Sequence, residues 1–256
     1  MARPRMAAIA VHNQSALAAG SLPWATSLQV YTAPAVTLPA LPPPPPHAPS
    51  PSLVVADCDT ASAVLAIHSH HQPVAPVAAL NFANATQRGG GYLTGARAQE
   101  EDLCRVIPAL HPSLTQCSYP LQPDHVPATT ALICRHPATY ALLPAAARVP
   151  VVVLTAAALD MRTAAMPHTA YRDEMRRRVR AVLYAAYSAG CTALVLGQWG
   201  CGVFQNNPAA MARVFVDVLA SPEWQRRFDV VVFAIPRGRR GATSDAFCRE
   251  LRRLHV

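Results

Sequence analysis

Aromatic side chains are scarce in this chain, at 6% of its 256 residues, and charged residues are few, at 14%. The 52% hydrophobic content is inflated by alanine, so a core must be built from Val, Leu and Ala. That suffices for one domain of ordinary size plus an extension. No uninterrupted apolar run reaches the roughly 18 residues of a membrane-crossing helix, so no membrane partner is expected. No acidic residue precedes Asp57, as in transit peptides. Only Arg3 and Arg5 are basic in that stretch, and the transit reading is not adopted. The seven cysteines are odd in number and scattered, with no C-x-x-C pair. This argues against a structural zinc site and for a reducing compartment, cytoplasmic or nuclear. His68, His70 and His71 have no matching Cys or carboxylate cluster, so an exposed helix end is expected there and no metal.

The charge that is present leans positive, to a net +8. Such a balance suits a polyanionic partner. Much of it lies in two places. Five arginines fall between Arg172 and Arg180, and six from Arg237 to the end. Solvated helix faces and a basic tail explain them equally well. On that reading Arg178 is an exposed charge contact. No RNA-binding aromatic motif is present, so nucleic acid is possible but not indicated.

Taken in order, the chain alternates strands and helices. A helix is expected near Met6 to Ala19 and a short strand at Ser27 to Tyr31. Pro42 to Pro46, with Pro49 and Pro51, makes an extended linker or surface loop over residues 42–51. Residues 1–41 then form an N-terminal accessory segment and 52–256 the main domain. Within it, Leu53 to Ala56 reads as a strand, with Asp59 capping a helix from Thr60 to Ser69. Val77 to Phe82 is a strand and Ala96 to Val106 a helix. Pro108 to Pro144 is proline-rich and resists assignment. Pro150 to Thr155 is a β-branched run suited to a strand buried on both faces. Tyr171 to Ala189 is a helix stopped by Gly190, and Thr192 to Gly197 a strand. Asn207 can cap a helix that opens with Pro208. Asp229 to Ile235 and Thr243 to Leu254 complete the pattern. Such alternation gives an α/β fold, a mostly parallel sheet with helices on both faces. Ligands then bind beyond the carboxyl ends of the strands.

The stretch from Leu80 to Cys104 falls at such an end. Gly89, Gly90 and Gly91 let backbone N–H groups face a ligand at close range. The helix after them adds the positive end of its dipole, which suits a diphosphate. Glu100 and Glu101 project about 100° apart on it, so one can position while the other handles protons.

Asn81, Asn84, the Gly89–Gly91 run, seven residues, then Gln99-Glu100-Glu101 resembles the signature of microbial-type poly(ADP-ribose) glycohydrolases. Leu103-Cys104-Arg105 and Leu196 to Phe204 extend the resemblance. It implies a macrodomain-like three-layer α/β/α fold with a mostly parallel mixed sheet, plus a small N-terminal helical extension. It further implies hydrolysis of ribose–ribose O-glycosidic bonds in poly(ADP-ribose), releasing ADP-ribose, with no cofactor. The partners are then poly(ADP-ribose) or ADP-ribosylated proteins. In that pattern Glu101 protonates the departing oxygen and then activates water, given a pKa raised by a poorly solvated pocket. Glu100 would bind ribose hydroxyls, Gln99 support the glutamates, and Asn84 bond the distal ribose. Asn81 would fix the loop. Gly200, Cys201, Gly202 and Val203 look like the diphosphate loop, with Phe204 against a ribose or the adenine. Asp57 would take the adenine amino group, although Asp59 stands close enough to be confused with it. Cys201 has no His partner in sequence and is not read as a nucleophile. The sequence departs from the family at Val106-Ile107-Pro108 and at Gln198-Trp199, which touch the pocket rim. Two alternatives stay open, a mono-ADP-ribosyl hydrolase and a non-catalytic ADP-ribose-binding module.

Overall fold

A computed structural model describes residues 2–33, 52–71, 75–236 and 241–252. The proline-rich linker at 42–51 and most of the basic tail lie outside the described residues. Seven strands form one sheet in the order β1-β4-β5-β3-β6-β7-β2. They are β1 (Ser27–Thr32), β2 (Ser52–Ala56), β3 (Val77–Phe82), β4 (His125–Ile133), β5 (Val149–Ala156), β6 (Ala193–Leu196) and β7 (Val230–Ala234). The β1–β4 and β4–β5 pairs are antiparallel and the remaining pairs parallel, so the sheet is mixed.

The central strands have no polar face, because both faces are covered. Side chains alternate across a strand. Ala78 and Leu80 of β3, Val152 and Leu154 of β5, and Leu194 and Leu196 of β6 meet one core. That core is closed by α5 (His168–Ser188), α6 (Pro208–Leu219) and α7 (Gly241–Leu251). Val77, Ala79, Val151, Val153, Ala193 and Val195 point the other way. There they meet α1 (Arg3–Ala18), α2 (Thr60–His71), α3 (Gln99–Val106) and α4 (Leu110–Leu114). Small residues let both helical layers sit close to the sheet, which is how a chain poor in aromatics still fills its interior. The expected three-layer α/β/α fold is what forms.

The proline-rich stretch that resisted assignment contains β4, the link between the antiparallel pairs. Pro127 sits inside it opposite Val30 of the edge strand β1. A proline within an alternating run argues against a strand in sequence, but the pairing of β4 with β5 begins only at Ala128, so at Pro127 β4 is paired on one side alone, as at an edge. The N-terminal segment does not stand apart. β1 joins the sheet, and Met6 and Ala10 of α1 are buried in the second core. Helix α3 starts at Gln99 rather than Ala96, because Ala98 is extended and its N–H bonds the Glu101 carboxylate.

The arginine-rich helix α5 is not a free basic face. Arg172, Arg176, Arg177, Arg178 and Arg180 each pair with a carboxylate. Arg178 overturns the reading of an exposed charge contact. Its side chain is 13% exposed, bonds Glu174, and donates to the Ala157 carbonyl at 2.6 Å, just past the end of β5. All seven cysteines are free thiols. Among the described residues no helix is long and apolar enough to cross a membrane.

Candidate active site

At the carboxyl edge of the sheet, β3 runs into the glycine loop and α3, while β6 runs into the loop that ends at α6. Gln99, the first residue of α3, ties that helix to the strand. Its Oε1 accepts from Phe82 N–H at 2.8 Å, and its Nε2 donates to Leu80 O at 2.7 Å. The amide acts as one more rung on the strand, with a third bond to Thr60. Gln99 was expected to support the glutamates beside the ligand, and these internal partners engage both ends of its amide.

The next two residues are buried carboxylates, Glu100 at 3% exposure and Glu101 at 7%. Glu101 Oε1 accepts from Gly91 N–H and Oε2 from Ala98 N–H, each at 2.9 Å. Glu100 Oε2 accepts from Asn84 N–H at 2.8 Å, and its Oε1 takes Asn81 Nδ2 at 3.3 Å. Burial, reinforced by the charge of Glu101, pushes the Glu100 carboxyl up to about 8, against the bonds from Asn84 and Asn81. The poorly solvated setting thus raises the Glu100 carboxyl.

Gly90 shows why the run must be glycine. Its φ is +54°, and a Cβ there would lie 2.5 Å from Glu101 Oε1 and 3.2 Å from Glu100 Oε2. The room expected for phosphates at this residue is therefore filled by the two carboxylates. Gly89 is closed off by His111, whose ring would lie 2.7 Å from an added Cβ. Asn81 is fully buried and bonds Glu100 and Thr155, in keeping with a fixing role; among the described residues its Oδ1 has no partner. Asn84 Oδ1 accepts from Thr86 and Gln87 N–H, so its side chain shapes the turn.

Neither glutamate, nor Asn84, nor Gly89 to Gly91 lines the adjoining cleft, which meets Gln99 and Asp102 on either side of the pair in sequence and has a volume of about 810 Å³. That is ample for a nucleotide-sized ligand. Gly200, Cys201, Gly202, Val203 and Phe204 line one side, and Ala98, Gln99 and Asp102 the other. Asp59, not Asp57, stands on its wall. Asp59 also caps α2 through Ser62 N–H at 2.9 Å. Cys201 is buried, and burial raises its thiol to about 12, which suits no nucleophile. Phe204 is half-buried, with the Arg162 guanidinium 5.6 Å from its ring centroid. Asn206, unmentioned by any motif, pins this loop. Its Nδ2 donates to Leu159 O at 2.7 Å and Gly200 O at 3.0 Å, and Tyr171 O–H donates to its Oδ1 at 2.9 Å.

A second unforeseen network lies behind the glycine loop. Arg105 is fully buried; its guanidinium donates to Asp102 Oδ1 at 2.8 Å and to the Ala96 carbonyl. Asn13 of α1 donates to Tyr92 O–H at 3.1 Å and Arg105 O at 3.0 Å, and accepts from Arg135 at 2.7 Å. The Asp102–Arg105 pair was legible as an i,i+3 spacing of opposite charges. The reach back to Asn13 was not. Among the described residues, no three His, Cys, Asp or Glu side chains assemble as a metal-ligand set.

A family model for the catalytic domain of microbial-type PARG matches residues 8–136. The structure of poly(ADP-ribose) glycohydrolase from Thermomonospora curvata superposes with a TM-score of 0.81 at 26% identity, covering 97% of this chain and 100% of that one. The same enzyme bound to the inhibitor ADP-HPD gives 0.79 at 29% identity, covering 96% and 99%. Poly(ADP-ribose) glycohydrolase from Deinococcus radiodurans in complex with ADP-ribose gives 0.66 at 35% identity, covering 79% and 85%. Comparison with curated proteins finds no match.

Proposed function

From a chain that belongs to the microbial-type poly(ADP-ribose) glycohydrolase family, a glycosidase family, we propose hydrolysis of the ribose–ribose O-glycosidic bonds of poly(ADP-ribose), releasing ADP-ribose. The observation that carries the reading is the pair of buried carboxylates, Glu100 and Glu101, packed under Gly90, with their sequence neighbours Gln99 and Asp102 on the cleft wall. Cleavage of a glycosidic bond needs a proton for the departing oxygen and a base for water. A single carboxyl can serve both roles in turn. We assign that role to Glu101, following the family pattern, and the ribose hydroxyls to Glu100.

Burial favours the protonated form of Glu100, so the pair enters the reaction holding a proton. Glu100 and Glu101 oxygens flank the one space left by the missing Gly90 Cβ, and neighbouring carboxyls of this kind titrate as a pair. The shared proton passes from Glu101 to the leaving ribose oxygen as the glycosidic bond breaks. Glu101 then draws a proton from the water that attacks the oxocarbenium-like carbon. The diphosphate lies against Gly200 to Val203, where small residues bring backbone donors close. Phe204 packs on a ribose or the adenine, and Asn84 borders the distal ribose. Asp59 replaces Asp57 as the acidic residue at the purine end. No step calls for a metal or cofactor.

The test is incubation of the protein with automodified polymer and, separately, with a mono-ADP-ribosylated protein, followed by product analysis. Release of ADP-ribose from the polymer is expected. Release from the mono-modified protein alone would move the activity to the other hydrolase class, and release from neither would leave only binding.

A further inference from the structure

Asp102 follows the glutamate pair and belongs to neither role given above. It is one helical turn beyond Gln99, so both residues reach the same side of α3, and both line the cleft. Two donors converge on one of its oxygens. Arg105 Nη1 reaches Oδ1 at 2.8 Å, and Tyr140 O–H reaches the same atom at 2.7 Å. Arg105 is fully buried and Tyr140 nearly so, so the carboxylate is held from behind. Its side chain is still 41% exposed, and among the described residues Oδ2 has no partner. A carboxylate gripped on one oxygen and open on the other is a fixed acceptor aimed into the cleft.

We propose that Asp102 is a specificity-determining residue whose Oδ2 accepts a hydrogen bond from a neutral N–H or O–H donor on the nucleoside part of the ligand. The inference rests on the ADP-ribose reading of the cleft. An anionic acceptor repels phosphate, so it also sets which way round the ligand lies. The diphosphate goes to the Gly200–Val203 side and the donor-bearing nucleoside to the α3 side. Two donors have the required chemistry, the exocyclic amine of the purine and a ribose hydroxyl.

Asp102→Asn separates the possibilities. It keeps an oxygen for Arg105 and Tyr140, but replaces the free acceptor with an N–H₂ donor. Calorimetric titration would compare wild type and variant with ADP-ribose, its hypoxanthine analogue and its deoxyribose analogues. A hydrogen bond to a charged group corresponds to about 10–100-fold in affinity. We expect the variant to lose about that much for ADP-ribose. If the amine is the donor, the hypoxanthine analogue, which offers an acceptor instead, should bind the variant better than wild type. If a hydroxyl is the donor, one deoxy analogue should bind both proteins alike.

Equal losses across all ligands, or no loss, would overturn the proposal. Melting curves and Tyr140→Phe, which removes one grip on Oδ1 and leaves Arg105 paired, provide the fold control. Tyr140→Phe should weaken ADP-ribose binding by less than Asp102→Asn and with the same ligand ranking; a different ranking would also count against the proposal. Failure of the wild type to bind ADP-ribose would defeat the underlying reading itself, whereas wild-type binding with an indifferent Asp102→Asn defeats only this inference.

Discussion

The backbone N–H of Gly91 donates to Glu101 Oε1 at 2.9 Å, across ten positions of sequence. The glycine run and the glutamate pair are therefore one structure, closed at its other end by the bond from Ala98 N–H to Glu101 Oε2. Displacing either part displaces the other.

Gly90→Ala tests that unity. The added methyl would lie 2.5 Å from Glu101 Oε1, at a φ of +54°. The carboxylate must move. Misplacement of a catalytic group by about 1 Å can cost on the order of 10²-fold in rate, and a loss of that size is expected in polymer hydrolysis. Gly190→Ala is the control, with φ at +73° and nothing near its Cβ position. It should cost stability alone, measured by thermal melting with activity intact.

Much of this arrangement was legible in sequence, because glycine and adjacent glutamates are constrained chemically wherever they occur. The strand at Val77 to Phe82 was read with its observed bounds, as alternation into two apolar layers leaves no polar positions to confuse it. Three things were hidden. β4 was obscured by Pro127, harmless because the pairing with β5 begins only at Ala128. Asn13, Arg105 and Arg135 converge from distant segments, and no local spacing encodes that. Of Asp57 and Asp59 it is Asp59 that lines the cleft, since two neighbouring residues past a strand end can point to quite different places.

Glu101→Gln should retain ADP-ribose binding and lose about 10²–10⁴-fold in hydrolysis, since the amide keeps the shape but cannot act as an acid. Its N–H₂ must face either Gly91 N–H or Ala98 N–H, so a modest drop in melting temperature should accompany the loss. EDTA should leave the wild-type rate unchanged. Wild-type turnover by the variant would remove Glu101 from the mechanism.

The raised Glu100 carboxyl carries a stability signature. Folded, it titrates at about 8 rather than at its ordinary 4.5, so between those values the folded protein holds a proton that the unfolded chain has released. Its contribution is complete below the lower value and is lost as pH rises through the upper one, by about 1.4 kcal/mol per pH unit at the steepest. Glu100→Gln carries no such proton. Urea unfolding at pH 5, 6, 7 and 8 should show the wild type losing ground to the variant as pH rises. Parallel profiles would mean that Glu100 is ionised throughout.

Asn13→Ala tests whether α1 belongs to the catalytic domain. The change strips partners from Tyr92 O–H, the Arg105 carbonyl and the Arg135 guanidinium, all buried. Each orphaned buried group costs about 1–3 kcal/mol, more when charged. A loss of about 2–4 kcal/mol in urea unfolding is expected, with reduced activity because Arg105 also holds the Ala96 carbonyl of the glycine loop. Removal of α1 should be more damaging still, since it uncovers Met6 and Ala10. A wild-type unfolding curve for Asn13→Ala would show the network to be dispensable.

Two glycines of the second loop should fail in different ways. Gly202 is exposed on the cleft wall, so the side chain of Gly202→Val projects where the diphosphate is proposed to lie. It should abolish ADP-ribose binding and leave the circular dichroism spectrum and melting temperature nearly unchanged. Gly200 is turned inward, with φ at +72° and an added Cβ 2.5 Å from Asn206 Nδ2 and 2.6 Å from Ala158 Cβ. Gly200→Val should therefore strike the fold, because Asn206 is the residue that bonds Leu159, beyond the end of β5, and the loop together. Calorimetry on the soluble variants and melting curves on both distinguish the outcomes. Tight binding by Gly202→Val would place the diphosphate elsewhere in the cleft, even if Gly200→Val unfolds as expected.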